Sequence, residues 1–339
     1  MEKNKLDSFA RMTPKMREIA DFEEREALRI QRDYGPDLTA PEAYALARQH
    51  WNEAAPVLER SEEHLLKAGD REIPFVIHYP NGVETPPVIL FTHGGGFTVG
   101  SPKTHEGIMR RLVTATGAAV VGIDYSLAPD SKFPVALEEC VALAEHLHQS
   151  GGTYGLARSP LSLAGDSAGA YLSLAAALWI RDHAIDCPVE SLLLYYGAFG
   201  LEDSMSMRLY GGIWDGLTLK DLKSYSDLFT RAEDQADPYR KLFNNDLTHG
   251  IAPAYIMACE LDPLKDDSRL LHAIMAEHGM VSIYREVPGV IHGFLHYSNQ
   301  LPEAAAIIDE SGTFYRRVHE DQLRQADQSE LKSGSCSKG

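Results

Sequence analysis

A serine set among small residues, Gly165-Asp166-Ser167-Ala168-Gly169, carries the sharpest chemical signal in the sequence. It fits the G-x-S-x-G pattern and lies where an apolar strand, LSLA, gives way to the helical run AYLSLAAALWI. A nucleophile on so sharp a turn has a strained backbone and close neighbours two residues to either side, so Gly165, Ala168 and Gly169 answer a steric demand. The same turn puts the Ala168 N–H at a helix N-terminus, where developing negative charge is favoured. A plain small-residue turn would look similar, and the motif alone does not decide between the two.

His93-Gly94-Gly95-Gly96 supplies the second signal, directly after the apolar run at Val88 to Phe91. Glycines leave backbone N–H groups free to turn toward a ligand, so Gly94, Gly95 and Gly96 join Ala168 as candidate oxyanion donors. A phosphate cradle is the rival, but no Lys-Ser/Thr pair follows and the G-x-G-x-x-G spacing is missing. A base and its orienting acid should then follow the serine in the order acid, histidine. After the strand AYIMAC comes Glu260-Leu261-Asp262-Pro263-Leu264, with Pro263 poised to open the next helix. Asp262 is preferred, with Glu260 close by; Asp266 and Asp267 fall in the first helical turn, where acids complement the dipole. After the next strand, Gly289-Val290-Ile291-His292-Gly293-Phe294 offers His292 in a loop, whereas His296 reads as a packed or solvated histidine.

HGGG before GDSAG, then Asp-Pro-Leu and His-Gly-Phe, resembles the hormone-sensitive-lipase-like family of α/β-hydrolase esterases, over about residues 40–318. The stretches GGIWDGLT, LFNNDLT and DPLKDDSRLL are similar to the bacterial members of that family that cleave acetyl esters. The resemblance implies Ser167 as nucleophile, His292 as general base, Asp262 as its orienter, and Gly95, Gly96 and Ala168 as oxyanion donors, with His93 shaping the loop. Ser126 and Asp130 stand where the family commonly shows Arg and Glu, and Asp267 stands where Glu is common. These departures touch supporting loops and leave the triad intact.

The surrounding pattern is able to position such residues. Short apolar strands alternate with amphipathic helices from Glu72 onward, which predicts a mostly parallel sheet flanked by helices, an α/β fold. The expected organisation is a helical cap segment at 1–60, core at 61–200, a helical cap insertion at 201–237, core again at 238–320, and a polar, disordered tail at 321–339. The helix after Thr39, with Pro41 in its first turn and Ala43, Leu46, Ala47 and Trp51 on one face, belongs to the first cap segment. In the insertion, Tyr210 and Trp214 are candidates to close an acyl pocket, the alternative being that they pack cap against core.

In 339 residues, 49 acidic side chains against 32 basic ones give a net charge of −17, which argues against nucleic acid and anionic membrane surfaces as partners. Cys140, Cys187, Cys259 and Cys336 are widely spaced and no apolar leader opens the chain, so free thiols and a cytoplasmic setting are expected. The histidine spacings suggest no metal and the one glycine-rich loop is already used, so no cofactor is expected. The expectation is therefore a serine carboxylesterase for small short-acyl esters, a monomer or homodimer. A lactonase, amidase or peptidase shares the same machinery, a receptor on this fold would be expected to have lost a triad member, and an added regulatory protein partner stays open.

Overall fold

The computed structural model describes residues 5–158 and 160–335. The chain opens with helices α1 (Ser8–Arg11), α2 (Pro14–Tyr34) and α3 (Ala40–Asn52). Thr13 caps α2, and Thr39 and Glu42 close a reciprocal capping box on α3. An eight-stranded sheet follows, built from β1 (Ser61–Ala68), β2 (Arg71–His78), β3 (Val88–Thr92), β4 (Ala119–Ile123), β5 (Leu161–Asp166), β6 (Val189–Tyr195), β7 (Ala254–Leu261) and β8 (Ser282–Ile291) in spatial order 1-2-4-3-5-6-7-8. The β1–β2 and β2–β4 pairs are antiparallel and the rest are parallel.

The helices between these strands are α4 (Glu106–Thr116), α5 (Val135–Ser150), α6 (Ala168–Asp182), α7 (Met205–Leu209), α8 (Leu219–Phe229) and α9 (Lys265–Glu277), and α10 (Pro302–Ser335) follows the last strand. Alternation along the strands divides the core in two. Val88 and Leu90 join Leu143, Leu172 and Leu271 from α5, α6 and α9, whereas Ile89 and Phe91 join Leu112 and Ile308 from α4 and α10. Strands β3 and β5 are buried at every position, as central strands covered on both faces must be.

Two elements differ from expectation. β1, SEEHLLKA, is a charged segment without β-branched residues, and it becomes a strand by pairing along β2 at the sheet edge. The tail expected to be disordered continues α10 from Gln322 as far as Ser335; its Gln, Ala, Glu, Leu and Lys residues are good helix formers with no Pro to stop a helix already anchored by Ile307, Ile308 and Tyr315. The end of that tail, 336–339, with Cys336, lies outside the described residues. Among the described residues no helix is long and apolar enough to cross a membrane.

Register decides what the sheet can present. Thr92 pairs with Gly165, Asp166 with Tyr195, and Leu261 with Ile291, so the loops after β3, β5, β7 and β8 leave the same edge of the sheet. Those four loops carry the HGGG glycines, Ser167, Asp262 and His292.

Candidate active site

Ser167 sits between β5 and α6 with φ 54° and ψ −119°, a conformation unfavourable for any residue with a Cβ. Its N–H donates to the Tyr195 carbonyl at 2.9 Å, pinning the turn to β6. Gly169 is obligatory here, since a Cβ at that position would stand 1.9 Å from the Thr92 carbonyl oxygen. The close approach is locked by the Thr92 hydroxyl, which donates to the Gly169 carbonyl at 2.6 Å.

The serine hydroxyl lies 2.8 Å from His292 Nε2, and His292 Nδ1 lies 2.8 Å from Asp262 Oδ2. Asp262 is fully buried and its other oxygen accepts the Leu264 N–H at 2.8 Å, so Nδ1–H donates to the carboxylate and Nε2 is left to accept from the serine. The loop bearing His292 is held from the insertion: its N–H donates to the Asp215 carbonyl at 3.2 Å, and the Asp215 carboxylate accepts the Gly211 and Gly212 amides at 2.6 and 2.8 Å. The rival acids are occupied elsewhere. Glu260 accepts from Arg11 at 2.7 Å and from the Gly289 amide at 2.8 Å; Asp266 accepts from the Ser206 amide at 2.7 Å.

On the neighbouring loop, Gly95 and Gly96 have φ 120° and 59°, and among the described residues their amides donate to no group. Gly94 departs from the sequence expectation: its N–H donates to Asp166 Oδ1 at 2.9 Å and is therefore spent on the fold. His93 is buried, stacks on Tyr125 at 4.1 Å, and its Nδ1–H donates to the Gly94 carbonyl at 2.8 Å. Burial pushes its imidazole down to about 3, which keeps the ring neutral.

Asp166 links the two loops. Besides the Gly94 amide it accepts from the Tyr196 hydroxyl at 3.4 Å, and His105 Nε2 stands 3.4 Å from Oδ1 without completing a hydrogen bond. Burial works to raise this carboxyl, and the adjacent His105 with the Gly94 amide outweighs it and holds the group below the usual range. His105, Asp166 and His296 are all buried and bring potential ligand atoms within 4.8 Å of one another, the one such metal-capable group among the described residues. His296 is committed to its surroundings, with Nε2 3.2 Å from the Tyr44 hydroxyl, and burial holds its ring well below the ordinary imidazole range. Sequence spacing had no way to find His105, which is brought to Asp166 only by the packing of α4 and the loop before it.

A cavity of about 170 Å³ opens on the serine, with Gly96, Phe97, Ala168, Leu217, Leu222 and Tyr225 among its walls. Tyr210 and Trp214, the expected pocket aromatics, do not line it. Tyr210 is buried and its hydroxyl accepts from Arg11 at 3.1 Å, while Trp214 packs on Phe9 at 4.8 Å, so both join the insertion to the N-terminal segment. Asp267 does line the cavity. Its Oδ1 accepts the Gly200 and Leu201 amides at 2.8 and 3.2 Å, and burial pushes its carboxyl up to about 7.

A serine on a strained strand-to-helix turn, a histidine and a buried acid from later strands, and free amides beside them make up the layout of serine hydrolases built on α/β sheets. Residues 89–296 match the protein family described as the alpha/beta hydrolase fold. The acetyl esterases of Salmonella paratyphi A and Salmonella agona are each 40% identical to this chain over 315 residues, 92% of this chain and 96% of theirs. The hyperthermophilic esterase from the archaeon Pyrobaculum calidifontis matches with a TM-score of 0.82 and 26% identity over 91% of this chain and 99% of its own. A thermostable esterase from Pseudomonas putida ECU1011 shares the fold, with a TM-score of 0.79 and 23% identity over 90% and 97% of the two chains. The chain belongs to the alpha/beta hydrolase family, in its hormone-sensitive-lipase-like esterase branch, and is a carboxylic ester hydrolase.

Proposed function

We propose that the enzyme is a serine esterase for short-acyl esters, acetyl to about butyryl or hexanoyl, working through an acyl-enzyme on Ser167. The observation that carries this reading is the unbroken chain Ser167 Oγ, His292 Nε2, His292 Nδ1, Asp262 Oδ2, with 2.8 Å at both contacts, beneath the small cavity. His292 takes the hydroxyl proton as Oγ bonds to the ester carbonyl carbon. Asp262 keeps Nδ1 protonated and stabilises the imidazolium. The free amides of Gly95, Gly96 and Ala168 receive the oxyanion, the alcohol leaves with the proton from His292, and water repeats the sequence on the acyl group.

The cavity volume supports the chain length, since about 170 Å³ falls below the roughly 300–1,000 Å³ of pockets for drug-sized ligands. The 40% identity to acetyl esterases supports it independently. The segments 1–60 and 201–237 act in this reading as a cap, supported by Met207, Leu217, Leu222 and Tyr225 from the insertion in the cavity wall and by the Leu6 N–H donating to the Leu209 carbonyl at 2.9 Å. A cytoplasmic location is part of the same proposal, supported by the buried, unpaired Cys140, Cys187 and Cys259. The test is initial rates on p-nitrophenyl acetate, butyrate, octanoate and palmitate at pH 7.5. Wild type should favour the first two, and Ser167→Ala should lower kcat by roughly 10⁶. A loss below tenfold, or equal rates on palmitate, would overturn the reading.

A further inference from the structure

The wall of the cavity over Ser167 holds an arginine that pairs with no acid among the described residues. Arg240 shares that wall with Ser167 and Ala168. The guanidinium donates from Nε to the Thr230 hydroxyl and from Nη2 to the Ser226 hydroxyl at 3.1 Å, and lies 5.5 Å from the centre of the Phe229 ring and 6.0 Å from that of Tyr171. Among the described residues it makes no ion pair. Two of its five N–H groups are engaged, by hydroxyls that carry no charge, and Nη1 has no partner among the described residues.

The other charged groups on this wall are accounted for. Lys241 is paired with Glu202. Asp267 makes no ion pair among the described residues and is bound by two amides, and burial raises its carboxyl to about 7, so that it is only partly ionised near pH 7. A net charge of −17 repels anions from the molecule as a whole, so an unpaired arginine beside the reacting serine is a local reversal of sign. Hydroxyl contacts and flanking rings fix the fork in advance, which lowers the entropic cost of binding a planar anion through two parallel hydrogen bonds.

We propose that Arg240 selects esters bearing a free carboxylate, held against the guanidinium while the ester carbonyl meets Ser167. This rests on the esterase reading and narrows its substrate class. The carboxylate can belong to the acyl half, as in a monoester of a dicarboxylic acid, or to the alcohol half, as in an acylated hydroxy acid. The shared chemistry is the carboxylate, and substrate pairs separate the two sources.

The experiment follows acid release by pH-stat for monoethyl succinate against ethyl succinamate, and for 3-acetoxypropanoate against 3-acetoxypropanamide. Each pair differs only in carboxylate against amide. Full-length wild type, Ser167→Ala, Arg240→Gln and Arg240→Lys are compared. Wild type should prefer the carboxylate in at least one pair by about tenfold or more in kcat/KM, mainly through KM, as a charge-assisted contact provides. That preference should vanish in Arg240→Gln, survive in part in Arg240→Lys, and shrink as salt is raised. A wild type with no preference in either pair, or an Arg240→Gln that keeps it, overturns the proposal. If Arg240 only braces Thr230 and Ser226, substitution lowers both members of a pair alike, which also overturns it. Absence of Ser167-dependent hydrolysis of the neutral amides and of p-nitrophenyl esters alike would instead overturn the esterase reading, and this one with it.

Discussion

Replacing Asp166 by alanine tests whether the serine turn and the oxyanion loop are one unit. The Gly94 N–H would lose its acceptor, 2.9 Å away, in a site where Asp166 is 2% exposed and water has little access. A buried amide left unsatisfied costs about 1–3 kcal/mol. The loop has a cheaper escape, which is to rotate and find another partner, but that rotation turns the following amides of Gly95 and Gly96 away from the ester carbonyl that we propose they receive. Loss of one such donor costs about 3–4 kcal/mol, a 10²- to 10³-fold fall in kcat. Steady-state kinetics on p-nitrophenyl butyrate should therefore show Asp166→Ala with kcat down by roughly 10² and KM little changed. Asp166→Asn keeps an acceptor for Gly94 at about half the strength of a charged one and should recover much of that loss. An Asp166→Ala enzyme within about threefold of wild-type kcat would refute the coupling, as would an Asp166→Asn enzyme equally impaired, because the effect would then follow charge near His105 and not the acceptor for Gly94.

Two further outcomes concern stability. Asp267 has a folded-state pKa raised to about 7, above its unfolded value, so the folded protein binds the proton more tightly and is stabilised at low pH. As pH rises from 5 to 8 that contribution should fall by about 2–3 kcal/mol, and urea midpoints for Asp267→Asn should lack this part of the slope; parallel slopes for variant and wild type would refute it. Gly169→Ala would place a Cβ 1.9 Å from the Thr92 carbonyl oxygen, an overlap with backbone that no rotamer change relieves. This clash of the added Cβ with the end of β3 should destabilise by about 3 kcal/mol or prevent folding, read as a lowered urea midpoint, and an unchanged midpoint would contradict the packing of α6 on β3.

The residues that meet at Ser167 were legible because their demands are local. A nucleophile turn needs small residues at fixed offsets, free amides need glycines, and an acid and a histidine must follow strands whose apolar runs announce themselves. Asp262 was preferred over Glu260 from sequence, but the reason Glu260 is occupied lies in the fold, since it is bound by Arg11, far away in sequence, and by the Gly289 amide. Residue type alone did not separate Gly94 from Gly95 and Gly96, and only the resemblance favoured the latter two; the physical reason, an amide claimed by Asp166 across two loops, lies in the fold. β1 was hidden for the opposite reason: its residues favour no strand, and only the edge of β2 makes them one.

The cavity wall shows why substrate choice is harder to read than catalysis. Leu222, Tyr225 and Ser226 recur at the three- and four-residue spacing of one helix face, which the sequence of α8 displays, but which way that face points is decided elsewhere. Phe229 at the end of α8 stacks flat on Phe97, with ring centres 3.8 Å apart and planes at 6°, and meets Phe133 edge-on at 6.1 Å. Phe97 is itself the residue after Gly96 and has φ 65°. One aromatic contact therefore joins the helix that walls the cavity to the glycine loop of the proposed oxyanion site. A substitution at Phe229 should move chain-length preference and kcat together, whereas one at Leu222, which lines the cavity and has no part in that aromatic stack, should move the preference alone, as read from kcat and KM on p-nitrophenyl acetate and octanoate.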